Sequence, residues 1–190
     1  MSSTTVSILG LLAIKPMHGY DLNRLIKAWH LDSWAKIPVS TVYRRLKQVE
    51  KDGLVEAKVE QLTNMPPRTV FSLTPEGHLQ LAALLIDLIV DTDAPEDHFK
   101  LASFFIGFAD KDRVGEALET RCQALEGVIQ ALQAEGAALP PGGSEATAML
   151  LTNSVEHLEL AVAQTRRYQD ILRSDPERFF RLYPQAPAAE

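Results

Sequence analysis

"STVYRRLKQVEKDGLV", residues 40–55, sets four basic side chains, Arg44, Arg45, Lys47 and Lys51, close together in a chain whose net charge is −6. The apolar residues of its first ten positions are Val42, Leu46 and Val49. At about 100° per residue these three fall within about 40° of one direction, which predicts a helix with a single buried stripe. Ser40, Arg44, Lys47 and Lys51 fall at the opposite pole, with Thr41 and Gln48 beside them and Tyr43 at the flank. Arg45 lies at the apolar edge, where its stem rests on the core and its head reaches outward. Gly53 supplies the stop.

Two helices are predicted before this one. Thr4–Ile14 is apolar at Val6, Ile8, Leu9, Leu11, Leu12 and Ile14 and ends at Pro16. "MHGYDLNRLIKAW" repeats Leu22, Leu25, Ile26 and Trp29 at helical spacing. After residue 53 the pattern changes to alternation, with Val55, Ala57 and Val59 on one side, and "TVFSL" at 69–73 is β-prone. The turn-rich "QLTNMPPR" between them predicts a two-stranded hairpin. Thr74-Pro75 reads as an N-cap with proline at the first helical position, opening a helix to about Val90. "DTDAPED" is a break. Further helices are expected near 96–108, 111–135 and 144–173, the last two joined by "LPPGG". Glu96 and Asp97 read as helix N-terminal charge.

The expected fold class is therefore mainly α. A winged helix-turn-helix of three helices and a hairpin, residues 1–75, precedes an all-helical domain, residues 76–185. Charge follows the same division. Before Thr74 there are ten basic and six acidic residues; from there on, nine and nineteen. A basic module joined to an acidic body fits a polyanion partner. The outer face of the third helix is chemically suited to double-stranded DNA. Arg44, Lys47 and Lys51 suit phosphates or guanine, Gln48 suits adenine, Ser40 and Thr41 suit either, and the Tyr43 hydroxyl suits a phosphate. Arg68, near the hairpin tip, is placed for the adjacent backbone or minor groove.

Other classes find less support. Cys122 reads as a buried structural thiol and excludes a disulfide framework. The five histidines form no metal-ligand spacing, no phosphate-binding loop occurs, and no cofactor or catalytic set is expected. No stretch is long and apolar enough to span a bilayer and no signal peptide is read, so the expectation is a cytoplasmic protein that is not an enzyme. A winged-helix protein–protein adaptor is an alternative, but it calls for apolar anchors where Arg44, Lys47, Gln48 and Lys51 stand.

The words "ILGLLAIKPMHGYDLNRLI", "VSTVYRRLKQVEKDGLVEAKVE" and "RTVFSLTPEGHLQL" resemble, in order and spacing, the PadR-like transcriptional regulators, over residues up to about 80. The resemblance implies a bacterial DNA-binding homodimer, often a repressor, that reads inverted repeats and responds to a small aromatic effector. It places the family's recognition helix on residues 40–51, its tyrosine on Tyr43, its basic residues on Arg44 and Lys47, its closing glycine on Gly53 and a basic wing residue on Arg68. His18, Gly19 and Tyr20 match the turn into the second helix. They are expected to be structural, Gly19 through an unusual backbone angle and Tyr20 through packing. The wing connection departs from the family in carrying prolines and one basic residue. MarR-like regulators are a second alternative, but they usually place a dimerising helix before the reader. The helices after residue 76 resemble, by pattern, the C-terminal domain of the longer PadR-like proteins. Leu151, Val155, Leu158 and Val162 recur at spacings of four and three, an expected dimer seam. Trp29, Trp34, Phe99, Phe104, Phe105 and Phe108 are the aromatic candidates for an effector surface, although such stripes are more often core.

Overall fold

A computed structural model of the chain describes residues 3–61, 68–92, 95–140 and 142–181. The expected wing tip at 62–67, the middle of the 91–97 break, Pro141 and the end of the chain lie outside the described residues, as do the side chains of Val39, Glu96 and Asp97. The elements in chain order are α1 (Ser3–Ile14), β1 (Met17–His18), α2 (Gly19–Ala28), α3 (Leu31–Trp34), α4 (Val39–Lys51), β2 (Val55–Glu60), β3 (Arg68–Leu73), α5 (Pro75–Val90), α6 (Pro95–Phe104), a 3-10 turn (Ile106–Phe108), α7 (Lys111–Ala137), α8 (Glu145–Ser174) and α9 (Pro176–Phe179). The architecture is mainly helical with one small antiparallel sheet, a winged helix-turn-helix followed by helices alone.

α1 is apolar nearly all round and is buried from Val6 to Leu12, so it forms the axis of the core. α4 lies on it through Val42, Leu46 and Val49, each 2% exposed or less. The end of α4 is fixed by a Schellman turn. Gly53 has φ +76°, its N–H donates to Glu50 O at 3.1 Å, and Leu54 N–H donates to Val49 O at 3.0 Å. Thr74 locks this turn to the next helix. Its hydroxyl donates to Gly53 O at 2.7 Å and accepts from Gly77 N at 3.0 Å.

The hairpin pairs Val55 with Leu73 through Glu60 with Arg68. A third strand, β1, pairs Met17 with Phe71 and His18 with Val70, giving the order β1-β3-β2. His18 was expected in the turn into the second helix; that turn carries a two-residue strand, and the His18 ring nitrogen Nδ1 lies 3.0 Å from Thr69 O, tying it to the hairpin. α3 and α9, four residues each, were not anticipated either.

One apolar core runs across residue 75, from Val6 through Leu81 to Leu118. Gly10 allows a close approach: a Cβ there would lie 2.5 Å from the Phe105 ring, so Phe105 packs directly on α1. Trp29 and Trp34 meet Phe104 at 5.4 and 5.8 Å between ring centroids, and Phe99 meets Tyr168 at 5.0 Å. The aromatic candidates for an effector surface thus pack on one another and on the core. Arg121, 2% exposed, donates to Ile89 O at 3.3 Å and Asp91 O at 2.8 Å, with its guanidinium 4.4 Å from the Phe99 ring centroid. It satisfies carbonyls at the negative end of α5, and its burial pulls its pKa below the ordinary guanidinium value. Cys122 beside it is buried, and burial pushes its thiol pKa up, the setting of an unreactive thiol.

Candidate nucleic-acid interface

The third long helix of the module presents the predicted side chains outward. Ser40, Tyr43, Arg44, Lys47, Gln48 and Lys51 are exposed, Thr41 and Arg45 are half-buried, and Tyr43 is 52% exposed. Arg45 sits at the apolar edge, as its angle predicts. Three of these groups are already engaged within the protein. Lys47 Nζ donates to Glu50 Oε2 at 2.8 Å and stands 5.5 Å from the Phe71 ring centroid. The Gln48 amide donates to Asp52 at 2.8 Å. The Thr41 hydroxyl donates to Pro38 O at 2.8 Å, so its proton is committed and an acceptor remains outward. Each pair uses one donor, so Lys47 keeps two N–H groups and Gln48 keeps one N–H and its carbonyl oxygen for other contacts, and at exposed sites such pairs are weak, about 0.2–0.5 kcal/mol.

Two hollows flank the helix. On the hairpin side a groove of about 720 Å³ gathers Tyr43 and Lys47 with Arg68, Phe71, Tyr20 and Arg24. Predicted residues from the helix and the wing thus meet. On the other side a smaller hollow of about 310 Å³ gathers Thr41, Arg44 and Arg45 with Lys36, Ser3 and Thr4. Gln48 and Lys51 line neither.

The turn into α2 departs from expectation. Tyr20 is 72% exposed and does not pack. Gly19 is not among the glycines with positive φ; what it provides is room, because a Cβ would lie 2.7 Å from the Tyr43 ring. Tyr20 and Arg24 stand four residues apart on the polar side of α2, opposite Leu22, Leu25 and Ile26. That spacing was the available signal for their place in the groove. Arg24 has a loose partner, Asp21, at 3.6 Å.

The expected dimer seam has its partner within the chain. Val155, Leu158 and Val162 pack with Leu125 and Ile129 of α7, and Leu151 approaches Gly136. The large apolar side chains left exposed on these two helices, among the described residues, are Val128, Met149, Leu150, Leu160 and Ile171. Among the described residues no cluster of three His, Cys, Asp or Glu could hold a metal, and no helix is long and apolar enough to cross a membrane.

Three helices, a hairpin and an exposed basic third helix define the class: a winged helix-turn-helix module. Within that class, residues 8–83 match the model of the transcriptional regulator PadR-like family. No curated protein matches the chain. Three similar solved structures are PadR of Bacillus subtilis with operator DNA (19% identity, 90% of this chain and 98% of that one, TM-score 0.41), the PadR-like regulator BC1756 of Bacillus cereus (17%, 90% and 98%, 0.39) and B. subtilis PadR with p-coumaric acid (19%, 90% and 99%, 0.37). The likeness to the family lies in the match over residues 8–83.

Proposed function

We propose that this protein is a dimeric, sequence-specific DNA-binding transcriptional regulator, a repressor of the PadR-like type that reads an inverted repeat. One observation carries the reading: the outer pole of α4 is a continuous polar and cationic strip, Ser40, Arg44, Lys47, Gln48 and Lys51, held rigidly by three buried apolar residues. Arg44 and Lys47 read base edges or phosphates, Tyr43 and Arg68 hold the flanks, and affinity falls steeply with salt. The functional division falls near residue 75, with the reader before it and the body, 76–185, behind it.

Dimerisation through the body is supported by the exposed apolar side chains of α7 and α8 rather than by the seam, which is filled within the chain. Repression and response to a small aromatic molecule are carried by the family match alone. The adaptor reading lacks its anchors, since Tyr43 is the only large apolar side chain exposed on α4 among the described residues.

Selection of bound fragments from genomic DNA with the purified protein tests the reading. One enriched inverted repeat is expected, with Arg44→Ala lowering discrimination among its bases by about 1–3 kcal/mol and leaving the melting temperature unchanged. Equal binding of every fragment would overturn sequence-specific regulation.

A further inference from the structure

Gly10, Gly19 and Gly77 each stand where an added Cβ would come within 3.0 Å of a neighbour. At Gly10 the neighbour is the Phe105 ring, 1% exposed, and at Gly77 it is the backbone carbonyl of Leu54, so both glycines serve the packing of the core. Gly19 differs. Its neighbour is the ring of Tyr43, with Cε1 at 2.7 Å and Cζ at 3.4 Å, and Tyr43 is 52% exposed on the outer side of α4. A buried neighbour, Leu46 Cδ2, would stand at 3.5 Å, an ordinary contact. The core has room for a methyl group at residue 19; the Tyr43 ring as placed leaves none.

Local structure gives no reason for glycine either. Residue 19 is the first of α2, and its φ is outside the left-handed region, so alanine fits the backbone and is the better helix former. Nor can the backbone retreat to make space. The turn before α2 is held by the pairing of Met17 and His18 with β3, by the His18 contact to Thr69 O at 3.0 Å, and by burial of Met17 and Leu22. α4 is held by Val42 and Leu46. Between two fixed backbones the Tyr43 ring is the part that yields. Non-bonded carbon atoms settle at about 3.5–4.0 Å, so a methyl group at residue 19 pushes the ring edge away by about 1 Å and carries the hydroxyl with it.

We propose that Gly19 is a positioning residue for DNA binding: its missing side chain is the seat that holds the Tyr43 ring against the start of α2 and aims the hydroxyl at the DNA backbone. The inference rests on the DNA-binding reading and goes beyond it, because Gly19 is buried and offers DNA no side chain. A hydrogen bond to a phosphate oxygen tolerates little displacement, since O–H···O distances lie within about 2.5–3.0 Å. A tyrosine seated before DNA arrives also has less side-chain freedom to lose on binding.

The test is a double-mutant cycle on the full-length protein, with Gly19→Ala, Tyr43→Ala and both together, read by fluorescence anisotropy on the duplex recovered by selection. Gly19→Ala is expected to weaken binding about tenfold, with the melting temperature unchanged or raised. Tyr43→Ala should weaken it at least as much. The double variant should bind as Tyr43→Ala does, because without the ring the added methyl group displaces nothing. In wild-type protein, nuclear Overhauser contacts between the Gly19 α-protons and the Tyr43 ε-protons are expected both free and bound to the duplex. That measurement needs no variant, and it carries the test should Gly19→Ala lower the melting temperature. Unchanged or increased affinity for Gly19→Ala overturns the proposal. Equal losses from Gly19→Ala with and without the Tyr43 ring overturn it too, since the glycine would then act through the turn. So does a Tyr43→Ala protein that binds like wild type, or an Overhauser contact that vanishes in the complex. Wild-type protein that binds no duplex removes the functional reading and this proposal together, whereas wild-type binding with any of these results removes this proposal alone.

Discussion

α4 and α8 bury an apolar stripe by the same rule and differ in what their other side presents. α4 has 13 residues, seats Val42, Leu46 and Val49 in the core, and turns charge and amides outward. α8 has 30 residues, yet only Val162, Thr165 and Gln169 are buried, and Met149, Leu150, Leu160 and Ile171 stand exposed. At 100° per residue, the eleven-residue steps from Met149 to Leu160 to Ile171 keep those three within about 40° of one another. The outer side of α4 is matched to water and to a polyanion. The outer side of α8 sets these apolar side chains among exposed charges such as Glu156 and Arg167, a mixture suited to a protein surface as its cover.

The strongest way to break this comparison is to exchange their burdens. Leu46→Ala removes a side chain that is 1% exposed and should cost about 2–5 kcal/mol in urea denaturation. Leu160→Ala removes one that is 53% exposed and, at a concentration where the chain is monomeric, should change stability by less than about 0.5 kcal/mol. A cost below about 1 kcal/mol for Leu46→Ala would mean that α4 is held by something other than its stripe.

A smaller effect sharpens the other half. Leu160→Ser with Ile171→Ser should weaken self-association at least tenfold, about 1.4 kcal/mol, in sedimentation equilibrium. Helical content should not change. If association is unaltered, the dimer is formed by another surface; if wild-type protein is monomeric at micromolar concentration, no dimer is formed at all. Changing Val155 or Leu158 instead is expected to loosen the chain's own α7–α8 contact.

What could be read from the sequence follows from how far each signal reaches. The α4 stripe, the Gly53 stop, the strand at 55–60 and the Thr74-Pro75 helix start are local, and the structure has all of them, although the burial alternation fades before Val59, which is exposed. β1 is two residues long, and two residues carry no period. Arg121 sits in a helix where its charge reads as exposed; only the approach of the α5 carbonyls and of Phe99 buries it. The α8 seam has the same spacing whether it meets α7 or a second copy, so the pattern alone could not choose between them. The outward pole of α4 was legible residue by residue. The Lys36 hollow was not, because it exists only where α1 and α4 begin side by side.

The finest prediction concerns the charge that α4 keeps in check. Glu50 holds Lys47 at 2.8 Å on the reading side, with the Lys47 side chain 67% exposed. Glu50→Gln keeps the shape and removes the carboxylate. Stability should change by less than about 0.5 kcal/mol, since exposed ion pairs contribute little. DNA affinity should rise several-fold for every duplex, because a negative charge leaves the neighbourhood of Lys47 and no longer offsets its charge. The preference for the selected repeat should stay the same or fall slightly, since a freed lysine gains more from backbone phosphate than from any base. Anisotropy at two salt concentrations decides the matter. A loss of affinity would show that Glu50 orients Lys47 for its contact rather than restraining it, and the polar pole of α4 would then be preorganised by its own acidic residue.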